Sequence, residues 1–320
     1  MNEILKKIGL CGIIPVIRID DPDTAVPLAR ALSDGGIPCA EITFRTQHGE
    51  EAIRRVAEAM PDVLLGAGTI LTPGQADRAI EAGAGFIVSP GLNPRVVEHC
   101  LQKDVPITPG CSNPSDIETA LEMGLETVKF FPAEQAGGLG YIKALSGPYP
   151  SVRFIPTGGI NAENIAKYMS FDRVLACGGS WMVPTALVNA GKFDEITALC
   201  REAVDLMLGF TPAHIGINAE NEEVAVNAAS MFEALFGFPK KAGHSSVFAG
   251  GYVEVMKSPY LGRHGHIAIA VSSIERAMAH LERRGVVFMP ESAKKNAAGT
   301  LHAIYLKDEI AGFAVHLMRK

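Results

Sequence analysis

The chain has 320 residues, 48% hydrophobic and 20% charged, enough for a large core and, by length, for two domains. A net charge of −6 with no basic run excludes a nucleic-acid surface. The longest apolar runs have strand length, well short of the roughly 20 residues a membrane span needs.

Residues 1–17 carry two lysines and an apolar run, but Pro15 interrupts the run and no small-residue cleavage site follows, so no secretory leader is expected. Six scattered cysteines (Cys11, Cys39, Cys100, Cys111, Cys177, Cys200) form no C-x-x-C pair. That spacing fits neither a disulfide framework nor a zinc site; it fits buried free thiols in a reducing cytoplasm.

Residues 9–208 repeat one phrase: a short apolar run, a polar or glycine-bearing turn, then an amphipathic segment. The eight runs are Ile13–Ile17, Cys39–Phe44, Val63–Ala67, Phe86–Val88, Val105–Thr108, Thr127–Phe131, Val152–Pro156 and Val174–Cys177. The intervening segments open with helix-start chemistry at Asp21-Pro22, Thr72-Pro73 with Gln75 completing a capping box, Asn93-Pro94, Asn113-Pro114 and Asn161. Continuous rather than alternating apolar strands indicate a parallel sheet covered on both faces. Eight such units in about 200 residues predict an α/β fold, a (β/α)8 TIM barrel over residues 1–208, with a doubly wound open sheet as the alternative.

In a barrel, catalytic groups belong at the C-terminal strand ends. Those ends read Arg18, Glu41 and Arg45, Thr69, Ser89-Pro90, Thr108, Lys129, Thr157-Gly158-Gly159 and Gly178-Gly179-Ser180. Lys129 stands out because Val128, Phe130 and Phe131 flank it in a run that otherwise reads as buried. Burial disfavours the ammonium and favours a neutral nucleophilic amine, the requirement for a Schiff base with a carbonyl substrate. A lysine whose stem packs while its head reaches water is the plainer alternative. Glu41 is placed to move a proton in carbon–carbon cleavage beside an iminium, or to pair with Arg45 four residues on. Arg18, Arg45 and Thr69 are candidates for a substrate carboxylate. Thr157-Gly158-Gly159-Ile160, before a helix capped by Asn161, and Gly178-Gly179-Ser180, after the last strand, read as phosphate cradles or as tight turns.

The motifs Glu41-Ile42-Thr43-Phe44-Arg45-Thr46, Gly66-Ala67-Gly68-Thr69, Ser89-Pro90-Gly91, Lys129-Phe130-Phe131-Pro132-Ala133-Glu134, Pro156-Thr157-Gly158-Gly159-Ile160 and Gly178-Gly179-Ser180-Trp181 resemble the 2-keto-3-deoxy-6-phosphogluconate (KDPG) and 4-hydroxy-2-oxoglutarate (KHG) aldolase family. The resemblance covers residues 5–208. It implies a class I aldolase with Lys129 as Schiff-base lysine and Glu41 as acid/base. Arg45, Thr69 and Pro90 would line the pyruvate end, with Thr157, Gly158, Gly159 and Ser180 at the phosphate; Arg18 is a further substrate-binding candidate. It implies cleavage of the keto-acid phosphate to pyruvate and glyceraldehyde 3-phosphate without a cofactor, and a homotrimer. A silent barrel that only senses a phosphorylated sugar acid is the competing reading, weakened by Glu41, for which binding alone has no use.

Residues 211–320 have a different grammar of short alternating strands and long helices, and an internal echo. His214-Ile215-Gly216-Ile217 recurs 52 positions later as His266-Ile267-Ala268-Ile269. Each copy continues into a helical segment (about 222–236 and 273–284) and ends in a Gly-aromatic strand, at Gly251-Tyr252 and Gly312-Phe313. Two β-α-β-β-β modules are predicted, a smaller α+β domain. It resembles the vicinal oxygen chelate (glyoxalase-like) fold, whose first and last strands can donate metal ligands. Seven of the nine histidines fall here, and His214, Glu254, His266 and His316 would form a set for a divalent ion. Aligned on their glycines, the late strands match Glu254 with Val315; His316 needs a one-residue shift, and such a slip reverses the face a side chain occupies. The alternative is a fused structural domain with incidental histidines.

Overall fold

The computed structural model describes residues 2–297 and 299–320. It divides into two compact units, Met1–Met207 and Leu208–Lys320.

The first unit contains eight short strands: β1 (Ile13–Ile17), β2 (Cys39–Thr43), β3 (Leu64–Gly68), β4 (Phe86–Val88), β5 (Ile107–Thr108), β6 (Thr127–Phe130), β7 (Arg153–Pro156) and β8 (Cys177–Gly179). Consecutive strands from β1 to β5 pair in parallel, β8 pairs with β1, and β6 pairs with β7. Parallel bridges Gly110↔Lys129, Phe154↔Val174 and Thr157↔Gly178 join the remaining seams. The (β/α)8 barrel expected from the sequence is borne out, and the open sheet is excluded because β8 meets both β1 and β7.

Local chemistry sets where the helices start. Thr72, Asn93 and Asn113 cap the helices Pro73–Glu81, Pro94–Gln102 and Pro114–Glu122, their side chains accepting from the amides of Gln75, Arg95 and Asp116. Each has proline at its first turn, where no amide partner is lost. Two expectations need correction. Gln75 returns its side-chain oxygen to the amide of Leu71 rather than of Thr72, so the reciprocal box is displaced by one residue. Asn161 accepts from the amides of Glu163 and Asn164 and so heads a turn, while the helix begins only at Ile165 and ends at Met169.

In a barrel strand alternate side chains face the interior and the surrounding helices. Phe130 faces outward, against the rings of Phe154 and Tyr141. Its neighbour Lys129 therefore faces inward. Its immediate apolar neighbours Val128 and Phe130 lie on the other face of the strand.

The second unit forms one eight-stranded mixed sheet. Its strands are β9 (Thr211–Asn218), β10 (Lys240–Ala242), β11 (Ser246–Ala249), β12 (Val253–Met256), β13 (Gly265–Val271), β14 (Lys294–Lys295), β15 (Leu301–Tyr305) and β16 (Phe313–Arg319). The order is β10-β11-β12-β9-β13-β16-β15-β14. The opening strands of the two modules, β9 and β13, run antiparallel at the centre, and each lies parallel to the last strand of its own module. The helix Glu222–Phe236, capped by Asn221, packs Ala225 and Ala229 against Val255, Val247 and Ala249. The second module carries the helix Ile274–Glu282, capped by Ser273. No helix among the described residues is long and apolar enough to cross a membrane.

Candidate functional site

Lys129 and Glu41 project into the barrel from β6 and β2, four strands apart around the ring. Their Nζ and Oε1 atoms lie 3.4 Å apart, with the side chains 7% and 3% exposed. Backbone hydrogen bonds hold Lys129 in place, its amide donating to Pro109 and its carbonyl accepting from Cys111. The Phe131 ring covers the amine at 5.3 Å. Lysine snorkelling is ruled out by this burial.

Glu41 is the third residue of β2 rather than its last, which carries the carboxylate inside the barrel instead of onto its rim. Arg45 is exposed and donates to the Thr69 hydroxyl at 3.4 Å, so the alternative of a Glu41–Arg45 pair gives way to Glu41–Lys129. Thr69 has φ +60, a strained left-handed conformation for a β-branched residue.

Glycines around Glu41 are there for close approach. A Cβ on Gly68 would fall 2.1 Å from Glu41 Oε1, and one on Gly66 would fall 2.2 Å from the Phe86 ring. The alternation Gly66-Ala67-Gly68 inside a strand was the available signal, since strand-interior glycine marks a close neighbour.

Thr157 is buried at the end of β7, and Gly158 and Gly159 follow with φ of +98 and +79. Gly178 and Gly179 are strand residues paired with Ile14 and Pro15, not a loop beyond the strand. Their lack of a side chain has a packing cause: a Cβ would meet Thr157 Oγ1 at 2.3 Å or the Trp181 ring at 2.1 Å. Ser180, exposed, follows them, and the Thr157↔Gly178 bridge sets the two segments side by side. The helix after Gly159 has only five residues and starts at Ile165, so its N-terminus is set apart from the Gly158-Gly159 loop. Pro90 is half-buried after β4 beside Ser89, whose hydroxyl donates to Gly91. Arg18 is 56% exposed and pairs with Asp20, which also accepts from Asn189. It is not tied to the Lys129–Glu41 pair.

The residues 2–199 match the family model "Aldolase: KDPG and KHG aldolase". The chain belongs to the KDPG and KHG aldolase family. It is 54% identical over 207 residues to a 2-dehydro-3-deoxy-phosphogluconate aldolase of Treponema pallidum, covering 65% of this chain and 99% of that one. It is 42% identical to the KHG/KDPG aldolase of Escherichia coli K12 over 193 residues, 60% of this chain and 91% of that one. Among solved structures, a KDPG aldolase from Legionella pneumophila "with pyruvate captured at low pH as a covalent carbinolamine intermediate" has TM-score 0.61 and 39% identity, covering 62% of this chain and 97% of that one. The family-model match lies in the first unit.

The second unit gathers its own cluster. The Nε2 atoms of His214 and His266 lie 3.2 Å apart, and Glu254 Oε2 lies 3.2 Å from the first and 3.1 Å from the second. His316 completes a set of three histidines whose ligand atoms all lie within 4.8 Å of one another. The register explains the placement. Glu254 pairs with Gly216 across β12 and β9, and His316 pairs with Ala268 across β16 and β13. Gly216 and Ala268 are equivalent in the two copies, so His316 is the counterpart of Glu254; the match of Glu254 with Val315 is corrected. Gly216 must be glycine, because a Cβ would sit 2.0 Å from the His266 ring.

Burial pushes the Glu254 carboxyl up, but hydrogen bonds from His214, His266 and Ser246 outweigh it and hold it well below the usual carboxylate range. Burial, with His266 and His214 facing it, pushes His316 down to about 4, leaving a neutral ring. Both ring nitrogens of His316 and Nδ1 of His266 are buried without a hydrogen-bond partner among the described residues. Tyr305 stacks on His316 at 4.6 Å. Neither Tyr305 nor Ser246 stood out in the sequence.

Proposed function

We propose that Lys129 forms the Schiff base and Glu41 moves the protons in a class I aldolase acting on 2-keto-3-deoxy-6-phosphogluconate. The protein is an aldehyde-lyase of this family, and the buried Lys129–Glu41 pair is the observation that carries the residue assignment. The amine adds to the keto carbon and water leaves, giving an iminium. Glu41 then takes the C4 hydroxyl proton as the C3–C4 bond breaks, and the electron pair enters the enamine. Glyceraldehyde 3-phosphate departs, the enamine is protonated on carbon, and hydrolysis releases pyruvate and regenerates Lys129. Arg45, Thr69 and Pro90 hold the pyruvate carboxylate end; Thr157, Gly158, Gly159 and Ser180 hold the phosphate; Arg18 stands outside this set unless it turns away from Asp20. The same machinery cleaves 4-hydroxy-2-oxoglutarate to pyruvate and glyoxylate. No metal enters these steps. Borohydride reduction in the presence of pyruvate tests the assignment: a pyruvate adduct on Lys129 is expected, and an unmodified Lys129 in active enzyme would sink it. The first unit is assigned as a homotrimer of a cytoplasmic enzyme, to be checked by light scattering.

A second reading concerns residues 211–320, assigned as a glyoxalase-like domain of two modules that binds a divalent ion. A metal bound at about 2.1 Å by ligands at tetrahedral to octahedral angles has donor atoms roughly 3.0–3.4 Å apart. The triangle of His214 Nε2, His266 Nε2 and Glu254 Oε2 has sides of 3.1–3.2 Å. Hydrogen bonds alone do not satisfy it, since each ring nitrogen is either a donor or an acceptor and the carboxylate oxygen only accepts, so three such atoms in mutual contact leave two like groups facing each other. His316 supplies a fourth donor. Three imidazoles and one carboxylate suit zinc, iron, cobalt or nickel rather than magnesium or calcium. Metal analysis of the full chain after each ion is supplied in turn is the test; absence of stoichiometric metal with all of them would overturn it.

A further inference from the structure

At the phosphate end a carboxylate lies where an anion is least welcome. Both carbonyls of the Gly158-Gly159 loop are occupied, Gly158 accepting from the amide of Glu134 at 3.1 Å and Gly159 from Asn164 Nδ2 at 2.9 Å. The amides of Gly158, Gly159 and Ile160 donate to nothing among the described residues. The loop is therefore braced by its acceptors and leaves its donors free. The stem of Glu134 lies along the loop, since a Cβ on Gly159 would fall 2.6 Å from Glu134 Cγ. Its Oε1 accepts from the Tyr168 hydroxyl. Tyr168 is 1% exposed and belongs to the helix Ile165–Met169 that follows the loop. Gly138 (φ +61) leaves room for that bond, since its Cβ would approach both Tyr168 OH and Glu134 Oε1, at 3.2 and 3.3 Å.

We propose that the Glu134–Tyr168 hydrogen bond is a strut that sets the phosphate specificity of the aldolase. It ties the segment after β6 to the helix after β7, holds the Gly158–Ile160 amides outward, and keeps the Glu134 charge turned toward the tyrosine hydroxyl. Glu134 and Tyr168 are positioning residues; they do not touch the reacting carbons. The inference rests on the assignment of Gly158 and Gly159 to the phosphate.

The test compares KDPG with the phosphate-free 4-hydroxy-2-oxoglutarate, using inorganic phosphate as a competitive inhibitor. Tyr168→Phe and Glu134→Ala are expected to raise KM for KDPG and the phosphate inhibition constant about tenfold, with kcat and KM for the phosphate-free substrate unchanged. Glu134→Gln, which keeps an acceptor for the hydroxyl, is expected to stay within about threefold of the parent on every parameter. Equal shifts for both substrates, or no shift for either, overturn the strut. Should Tyr168→Phe fail to fold, the exposed Glu134 carries the comparison alone. The phosphate assignment fails separately, and takes the strut with it, if the unaltered enzyme is not inhibited by phosphate in competition with KDPG.

Discussion

Lys129 Nζ and Glu41 Oε1 meet at 3.4 Å inside the barrel, from strands on opposite sides of it and 88 positions apart in the chain. The amine is the nucleophile and the carboxylate the proton carrier, so the two residues report differently on function. Glu41→Gln keeps the shape and a polar group near the amine but withdraws the proton acceptor. We expect kcat to fall about 10²–10⁴-fold while borohydride still traps pyruvate on Lys129. Cleavage at the parental rate in Glu41→Gln would remove Glu41 from the mechanism.

Gly68→Ala offers a test that leaves both ionisable groups in place. The new methyl would lie 2.1 Å from Glu41 Oε1 and 2.8 Å from its Cδ, so the carboxylate must turn away from Lys129. Activity is expected to fall at least about tenfold, as misplacing a catalytic group by an ångström does. Gly74→Ala is the control. Nothing lies within 4 Å of its added Cβ in the helix Pro73–Glu81, and the substitution should be neutral or stabilise by up to about 1 kcal/mol. Equal activity of the two variants would contradict the close approach at Gly68.

Chelation tests whether the two units work independently. Treatment with EDTA should leave aldol cleavage unchanged, because Lys129 and Glu41 need no ion, while stripping metal bound through His214, His266, Glu254 and His316. Gly216→Ala should weaken that binding by about 10-fold or more, since its methyl displaces the His266 ring, whose nearest atom is 2.0 Å away. Elemental analysis alongside an aldolase assay reads both effects. Loss of cleavage on chelation would show that the division is wrong.

The six cysteines are buried thiols. Burial is the largest cause pushing Cys100 up to about 11 and Cys111 and Cys200 up to about 12. Folded values above the ordinary thiol value of 9.0 mean that the folded state holds more protons than the unfolded state above pH 9. The stability due to neutral buried thiols is thus complete below pH 9 and is lost as pH rises toward 11–12. At pH 10 each of these thiols should cost about 1 kcal/mol relative to pH 8. Urea midpoints at the two pH values measure the loss, and a thiol reagent at pH 8 should label native protein far more slowly than unfolded. Rapid labelling of all six thiols in native protein would contradict the burial.

The barrel was legible because its strands are continuous apolar runs separated by capped helix starts, and both signals are local. The inaccuracies fell where tertiary contact overrides local preference. Gly178 and Gly179 read as a loop, yet they are strand residues kept bare by Thr157 and Trp181. Asn161 read as a helix cap, yet its side chain closes a turn short of the helix.

By itself the sequence determined the eight-unit order, the internal echo of the second unit, and the residue types that carry the chemistry, because periodicity, capping and motif spacing are properties of the chain alone. Only the tertiary structure decided which of those residues meet. Of the two readings open for Glu41, barrel closure made it the partner of Lys129 rather than of Arg45. In the second sheet, the register put His316, rather than Val315, opposite Glu254 in the pseudo-symmetric pairing. A strand's side chains alternate faces, so a shift of one residue exchanges the inside for the outside, and that choice is fixed by the neighbouring strand.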